Sequence, residues 1–424
     1  MKHVLGLRCL ICGEKYTPSE VEYVCPKHGN EGILDVVYDY GAIRRRVQQR
    51  GIPPLGSGEG IWRYKPLLPV HPDSRVPPLS VGDTPLYPAP RLAAPLGLRH
   101  LWVKDDGREP SASFKDRASA LAVVKAKERG AEMIATASTG NAAAALACLC
   151  ASVEQPNVIF VPAAAPEAKI TQLLVYGSTV LLVEGSYDDA FELCLEACAE
   201  FGWYNRNTAY NPYMTEGKKT VVYEVCQQLA GGRPDEWRVP DVVVVPVGDG
   251  CIIGGVHKGF RDLRALGWID RMPRIIGVQS AGSDYMWQAW TRGEDVLTKP
   301  PIEADTVADS ISAGLPRDRI KAMAAVDETD GAFVRVADQD ILAAIPTLAR
   351  GTGVFAEPAA AASYAGLVGA VEDGLIASDE MTVILATGNG LKDIQSARRA
   401  VGQPHRVRLD LADVKRIIQK ERRE

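Results

Sequence analysis

The chain has 424 residues, 46% of them hydrophobic and 24% charged, with a formal net charge of -5. That length can bury a substantial core shared among two or three structural units, and the composition is that of a folded globular protein. The acidic balance excludes a general affinity for nucleic acid or anionic membrane, leaving room only for a local basic pocket that takes a small phosphorylated ligand. No apolar stretch reaches transmembrane length, and Arg8 and Cys9 interrupt the start before a signal-peptide core develops, so a cytoplasmic location is expected. Nine cysteines in so long a chain do not make a disulfide framework.

In chain order, a small zinc-ribbon-like segment is expected first, over residues 1–45. Cys9-x2-Cys12 followed by Cys25-x2-His28 can aim four lone pairs at one tetrahedral zinc. So short a region has little core, and a metal would contribute folding energy directly. A metal-free ribbon is the alternative, and either version is structural rather than catalytic. ILDVVYDY, residues 33–40, predicts a strand, and RRRVQQR after it a charged helix. Residues 51–85 are rich in Pro and Gly yet carry IWRYKPLLP, which predicts an irregular arm laid over a core. Beyond Leu86, LWVK, EMIATAS, NVIFVPA, STVLLVEG, VVVVPVG, RIIGVQS and TVILATG read as strands bounded by Gly, Ser or Pro. Helical patterns such as KDRASALAVVKAKERG and AAAALACLCASV lie between them. That alternation predicts an α/β fold built on largely parallel sheets. Cys148, Cys150, Cys194 and Cys198 fall in helix-like segments and are expected as buried thiols, and DLADVKRIIQKERRE should close the chain as an amphipathic helix.

Open α/β sheets bind ligands at the carboxyl ends of their strands, and four polar turns here occupy such places. Ser138-Thr139-Gly140-Asn141 follows EMIATA; its hydroxyls and helix-start N–H groups suit a carboxylate, or simply cap the helix. Gly248, Asp249, Gly250, Cys251 and Ile252 follow VVVVPV, where glycines let backbone N–H groups encircle a phosphate. This turn lacks both the GKS/T ending of a nucleotide loop and the spacing of a dinucleotide fingerprint, so one small phosphate group suits it best. Thr387 opens TGNGLKD after TVILA and could bond a heteroaromatic nitrogen without transferring full charge to it. Ser113-Phe114-Lys115-Asp116-Arg117 places a lysine at a helix start, where an isolated lysine would face solvent.

Together these segments resemble fold-type II pyridoxal-phosphate enzymes, the tryptophan-synthase-β-like family, and within it the threonine-synthase-like branch. The resemblance covers nearly the whole chain. It rests on WRY at 62–64, GDTPL at 82–86, SFKDR at 113–117, STGN at 138–141, NPYMTEGKKT at 211–220, EPAAAAS at 357–363 and TGNGLKD at 387–393. It implies two open α/β domains behind the ribbon. Residues 46–127 would hold the arm and the first part of a large cofactor domain, 128–210 a small mobile domain, and 211–424 the remainder of the large one. It also implies pyridoxal 5'-phosphate carried by Lys115 as a Schiff base, with Lys115 the principal proton-transfer base and Phe114 beside the cofactor. Asn141 would bond the ring oxygen, residues 248–252 would cradle the phosphate, and Thr387 would face the ring nitrogen. Ser138 and Thr139 would hold the substrate carboxylate. Cationic and hydroxyl donors for a substrate phosphate would come from Arg117, Arg206, Lys218 and Lys219, with Ser113 and Asn211 as further candidates.

The activity so implied converts O-phospho-L-homoserine and water to L-threonine and phosphate in a homodimeric lyase. Two departures from the family pattern bear on the substrate: Cys251-Ile252 stand where the phosphate loop commonly continues through glycine and asparagine, and Ala313-Gly314-Leu315-Pro316 replace a later Asn-Pro stretch. They leave open a different reaction on the same cofactor, namely β-replacement or elimination on O-phosphoserine, serine or threonine. A retired, non-catalytic scaffold is a further reading, opposed by the intact set Lys115, Asn141 and Thr387.

Overall fold

A computed structural model describes residues 3–53, 55–165, 167–233 and 235–421; the last three residues of the closing helical pattern lie outside them. Among the described residues, three sheets organise the fold. The first holds β1 (Val4–Cys9), β2 (Lys15–Tyr16) and β3 (Leu34–Tyr38) in the antiparallel order β2-β1-β3. The strand expected over 33–40 is shorter because Asp39 accepts the Ala42 N–H at 2.9 Å and caps a helix over Tyr40–Arg50. The arm that follows is laid down firmly. A short 3-10 helix, Gly60–Leu67, buries Trp62, Arg63 and Tyr64, and the Tyr64 hydroxyl donates to Gln227 Oε1 at 2.7 Å.

The chain then adds β4 (Leu86–Pro88) and β5 (His100–Asp105) to what becomes the large sheet. It leaves to build a second sheet from β6 (Ile134–Ala137), β7 (Asn157–Pro162), β8 (Thr179–Val183) and β9 (Tyr204–Asn205), in the all-parallel order β8-β7-β6-β9. It returns with β10 (Val242–Pro246), β11 (Arg274–Ser280), β12 (Ala332–Val336) and β13 (Met381–Ala386). The large sheet runs β12-β11-β10-β13-β5-β4, parallel except for edge strand β4.

Strands β10 and β13 are buried along their whole length, as VVVVP and MTVILA. Continuous apolar runs of this kind belong to parallel strands covered by helices on both faces. All seven strands expected beyond Leu86 are present. Three others were not anticipated: β4, the two-residue β9, and β12, whose AFVRV carries a charged, exposed Arg335 side.

A buried ion cluster ties the arm, the second helix region and the large sheet together. Arg117, on the helix Lys115–Arg129, pairs through Nε with Asp106 at 2.6 Å and through Nη1 with Glu224 at 2.6 Å. Glu109 lies 3.3 Å from the same Nε, and Lys104 meets Glu224 at 2.7 Å. This corrects the expectation that Arg117 binds a substrate phosphate: all its nitrogens are engaged by Asp106, Glu109, Glu224, Thr84 and Thr220, and its side chain is fully buried. Lys219 is corrected in the same way. Its amine pairs with Glu216 at 2.5 Å and Asp262 at 2.7 Å, and sits over the Tyr38 ring. Asn211 is likewise internal, donating to the Asn205 carbonyl at 2.7 Å and accepting the Tyr213 N–H at 3.0 Å.

Candidate active site

A cavity of about 490 Å³ opens where the strand ends of the two α/β sheets face one another. The turn after β6 contributes Ser138, Thr139 and Asn141, the turn after β10 contributes Gly248 through Ile252, and Lys115 reaches in from the start of its helix. Arg206, just after β9, lines it as well. The sequence thus spreads chemically distinct groups from Lys115 to Ile252, and the fold brings them to one space.

The turn after β10 is built for a small anion. Gly250 has φ +87°, and a Cβ there would lie 2.8 Å from the Asp318 carbonyl oxygen. A Cβ on Gly248 would lie 2.7 Å from Ile311 Cα. Both positions therefore require glycine. Gly250 caps the helix Cys251–Leu266 without any side-chain hydrogen bond, and the first-turn residues Cys251, Ile252 and Ile253 line the cavity. Those groups and the helix dipole suit a phosphate. Asp249 is fixed from behind: its carbonyl accepts the Asp318 N–H at 2.7 Å and its carboxylate the Arg317 N–H at 3.3 Å. Burial raises the Asp249 carboxyl above its usual range.

Lys115 faces this cradle. Burial lowers its proton affinity, against the pull of Glu357, Cys251 and Asp249 and with the help of Arg206. A lysine so placed is more readily a neutral amine than one in water. Its own segment is stitched to the turn after β13. Phe114 N–H donates to the Thr387 carbonyl at 2.9 Å, Asn389 N–H donates to the Ala112 carbonyl at 3.0 Å, and Ser113 bridges Gly388. Ser113, Phe114 and Thr387 lie behind the cavity wall rather than lining it, each almost fully buried.

Asn141 Nδ2 donates to Glu357 Oε1 at 2.7 Å and to Ser310 Oγ at 3.3 Å. Glu357 is a functional candidate that the sequence reading passed over. It sits at the start of the helix Pro358–Glu372, is buried, and takes a raised pKa from that burial, opposed by Lys392, Lys115 and Asn141. A Cβ on Gly388 would come within 2.3 Å of its Oε1, so the TGNG turn leaves room for this carboxylate. The signal was present in EPAAAAS, where a glutamate before proline at a helix start passes for an ordinary terminus. Ser138 partly closes its own turn by accepting the Gly140 N–H at 3.2 Å, while Thr139 lines the cavity beside it.

At the other end of the chain, Cys9, Cys12, Cys25 and His28 bring their ligand atoms within 4.8 Å of one another. Cys12 Sγ is 4.0 Å from Cys25 Sγ, and His28 Nδ1 is 3.4 Å from Cys25 Sγ and 3.8 Å from Cys9 Sγ. Tetrahedral zinc, with bonds of about 2.3 Å to sulfur and 2.0 Å to nitrogen, sets sulfurs about 3.8 Å apart and sulfur from nitrogen about 3.5 Å. The cluster can hold such a metal.

The chain is similar to known proteins. Residues 78–388 match the family described as pyridoxal-phosphate dependent enzyme. The threonine synthase of Methanocaldococcus jannaschii is 36% identical over 413 residues, covering 97% of this chain and 98% of that protein. The threonine synthase of Methanosarcina acetivorans is 38% identical over 415 residues, again 97% and 98% of the two chains. Among solved structures, the processed form of threonine deaminase isoform 2 from Solanum lycopersicum superposes with a TM-score of 0.61 at 23% identity, covering 79% of this chain and 82% of that one. That likeness establishes a shared α/β fold. No helix among the described residues is long and apolar enough to cross a membrane. A cradle that requires glycine at 248 and 250, a half-buried lysine on the same cavity, and a family match spanning both lead to one conclusion: the chain belongs to the pyridoxal-phosphate dependent enzymes.

Proposed function

We propose that this protein is a lyase converting O-phospho-L-homoserine and water to L-threonine and phosphate. The observation that carries the reading is the placement of Lys115 and the Gly248–Cys251 cradle on one cavity, in a chain aligned end to end with threonine synthases. The cradle fits the phosphate of pyridoxal 5'-phosphate, with Lys115 to hold its aldehyde carbon and Asn141 its ring oxygen. When bound, that cofactor supplies an electron sink for charge left at the substrate Cα.

The chain's own residues do the rest. Lys115, kept poorly basic by burial, takes the Cα proton and returns one later in the reaction. Ser138 and Thr139 would hold the substrate carboxylate from the turn that precedes the helix Asn141–Ala151. With the cofactor bound, Thr387 would be the partner of its ring nitrogen and, being neutral, would leave that nitrogen less positively charged than a carboxylate would. Ser113 and Phe114 act by fixing the Lys115 segment. Residues 128–210 form the mobile unit, because the cavity lies between their sheet and the large one and closing it would exclude water. The family likeness also implies a homodimer, which light scattering checks. Structural zinc at Cys9, Cys12, Cys25 and His28 and a cytoplasmic location complete the reading.

The assay is incubation of purified, cofactor-loaded protein with O-phosphohomoserine and, separately, O-phosphoserine, followed by identification of the amino-acid products. Threonine and stoichiometric phosphate from the first are expected; no threonine would overturn the assignment. Ile252, Ala313 and Leu315 make part of the cavity wall apolar, and this observation favours a second reading, β-replacement or elimination on O-phosphoserine, serine or threonine. Product formation from the second substrate alone would select it.

A further inference from the structure

The ribbon that carries the four metal-ligand residues also touches the turn after β10. Leu10 lies between Cys9 and Cys12, and its N–H donates to the Ile33 carbonyl at 3.0 Å. Ile33 follows Gly32, where a Cβ would lie 2.7 Å from Cys25 Cβ and 3.0 Å from His28 Cβ. The turn that delivers Ile33 is therefore pressed against two of the ligand residues. Leu10 and Ile33 then meet Ala209 and Cys251 in a small apolar cluster of their own, in which Ile33, Cys251 and Ala209 are 2%, 4% and 5% exposed. Cys251 is the first residue of the helix whose start forms the cradle.

Two further contacts bear on the same cavity wall. Glu31 forms an ion pair with Arg319, the first residue of the helix Arg319–Asp327. The N–H of Asp318, just before it, holds the Asp249 carbonyl at 2.7 Å, so this pair steadies the cradle from behind. Ala209 follows Arg206 and Thr208, both of which line the cavity. Its backbone is left-handed, with φ +67°, a conformation that a residue with a Cβ keeps only where its surroundings impose it. Leu10 and Ile33 are part of those surroundings.

Between β1 and β3 the described regular structure is a two-residue strand, an isolated bridge and a three-residue 3-10 turn. A metal held by Cys9, Cys12, Cys25 and His28 would fix the shape of so irregular a stretch. We propose that Leu10 and Ile33 are positioning residues for the phosphate cradle, passing the shape of the ribbon to the helix start at Cys251, so that metal occupancy and cofactor affinity rise and fall together. Such a coupling is reciprocal. The same contact accounts for Cys251 itself. Its side chain fills the space against Ile33, where a glycine would leave a gap. The proposal deepens the functional reading above and rests on it for the cradle's guest, the phosphate of pyridoxal 5'-phosphate.

The test titrates the full chain, zinc-loaded and cofactor-free, with pyridoxal 5'-phosphate and with pyridoxal, which lacks the phosphate, followed by absorbance. Leu10→Ala and Ile33→Ala are the variants and Leu10→Met is the volume-conserving control, with zinc content and thermal melting measured on each. Both alanine variants should keep their zinc and bind pyridoxal 5'-phosphate about 5-fold or more weakly, while pyridoxal stays within about twofold and Leu10→Met matches the parent. Removing zinc with a chelator should produce the same selective loss, and restoring it should reverse that loss. If the alanine variants shed zinc, Glu31→Gln, at a half-exposed residue outside the ligand set, carries the test with an expected weakening of about twofold. Unchanged pyridoxal 5'-phosphate affinity in folded, zinc-bearing variants, an equal loss for pyridoxal, or an affinity indifferent to metal would each overturn the proposal. Selective loss in the variants, with a parent that makes no threonine, would keep the positioning role and remove the assigned reaction instead.

Discussion

Replacing Arg117 by methionine separates a structural arginine from a substrate-binding one. Methionine keeps much of the length and removes the charge, leaving Asp106, Glu109 and Glu224 buried around the single cation Lys104. Breaking a buried ion pair by removing one partner costs about 3–5 kcal/mol. Here one guanidinium serves three carboxylates, which argues for the upper end. Glu109 trims the loss: burial already holds its carboxyl well above the usual range, so it takes up a proton readily. At about 2.1 cal/mol/K per residue, cooperative unfolding of the 424-residue chain has an entropy near 0.9 kcal/mol/K. The expected shift is then about 3–6 °C downward in melting temperature. Differential scanning calorimetry measures it, alongside steady-state kinetics on the protein that remains folded, where KM should stay within about twofold. An unchanged melting temperature together with a KM raised tenfold would refute this account and return Arg117 to the substrate site.

Gly250→Ala should weaken pyridoxal 5'-phosphate binding by roughly 10-fold or more, because a side chain at φ +87° and 2.8 Å from the Asp318 carbonyl must displace the cradle; fluorescence titration of cofactor-free protein reads it, and unchanged affinity would mean the phosphate sits elsewhere. Metal analysis of purified protein should find about one zinc per chain, and Cys25→Ser or a strong chelator should remove it and lower the melting temperature; full stability without metal would make the ribbon a metal-free one. For Lys218 the sign follows from a folded pKa of about 8 against an ordinary value of 10.5. The unfolded chain binds more protons between those values, so stability rises with pH across that window. Without phosphate, the stability advantage of Lys218→Met over the parent should narrow by about 2 kcal/mol between pH 7.5 and 9.5. Urea unfolding at the two pH values checks this, and a gap that widened would contradict the burial of a charged amine.

How much of this was legible beforehand depends on whether the governing physics was local. Runs such as VVVVP and TVILA, each ending in a glycine-containing polar turn, announce buried parallel strands and their ligand ends. The cavity's β6 and β10 turns were found in that way. AFVRV was missed because a five-residue edge strand with an arginine inside carries too weak a pattern. Glu357 was missed because its importance lies in Asn141 and Gly388, which are near it only in space.

Arg117 teaches a different lesson, because local geometry was enough to place it. A helix turns by about 100° per residue, so side chains two apart point about 200° from one another. Once Lys115 at the start of Lys115–Arg129 is aimed into the cavity, Arg117 must point away from it, into the body of the protein. Ser119, four residues on, returns to the Lys115 face, and there it meets Arg206. The neighbouring lysines Lys218 and Lys219 diverge in the same fashion. Lys219 turns to Glu216 and Asp262, whereas Lys218 turns to the side of Cys251, Arg206 and Lys115 and forms no ion pair. A basic motif read as a row of charges suggests one phosphate site with many hands. Read as a helix, it sorts into cations that build the core and cations left facing the ligand.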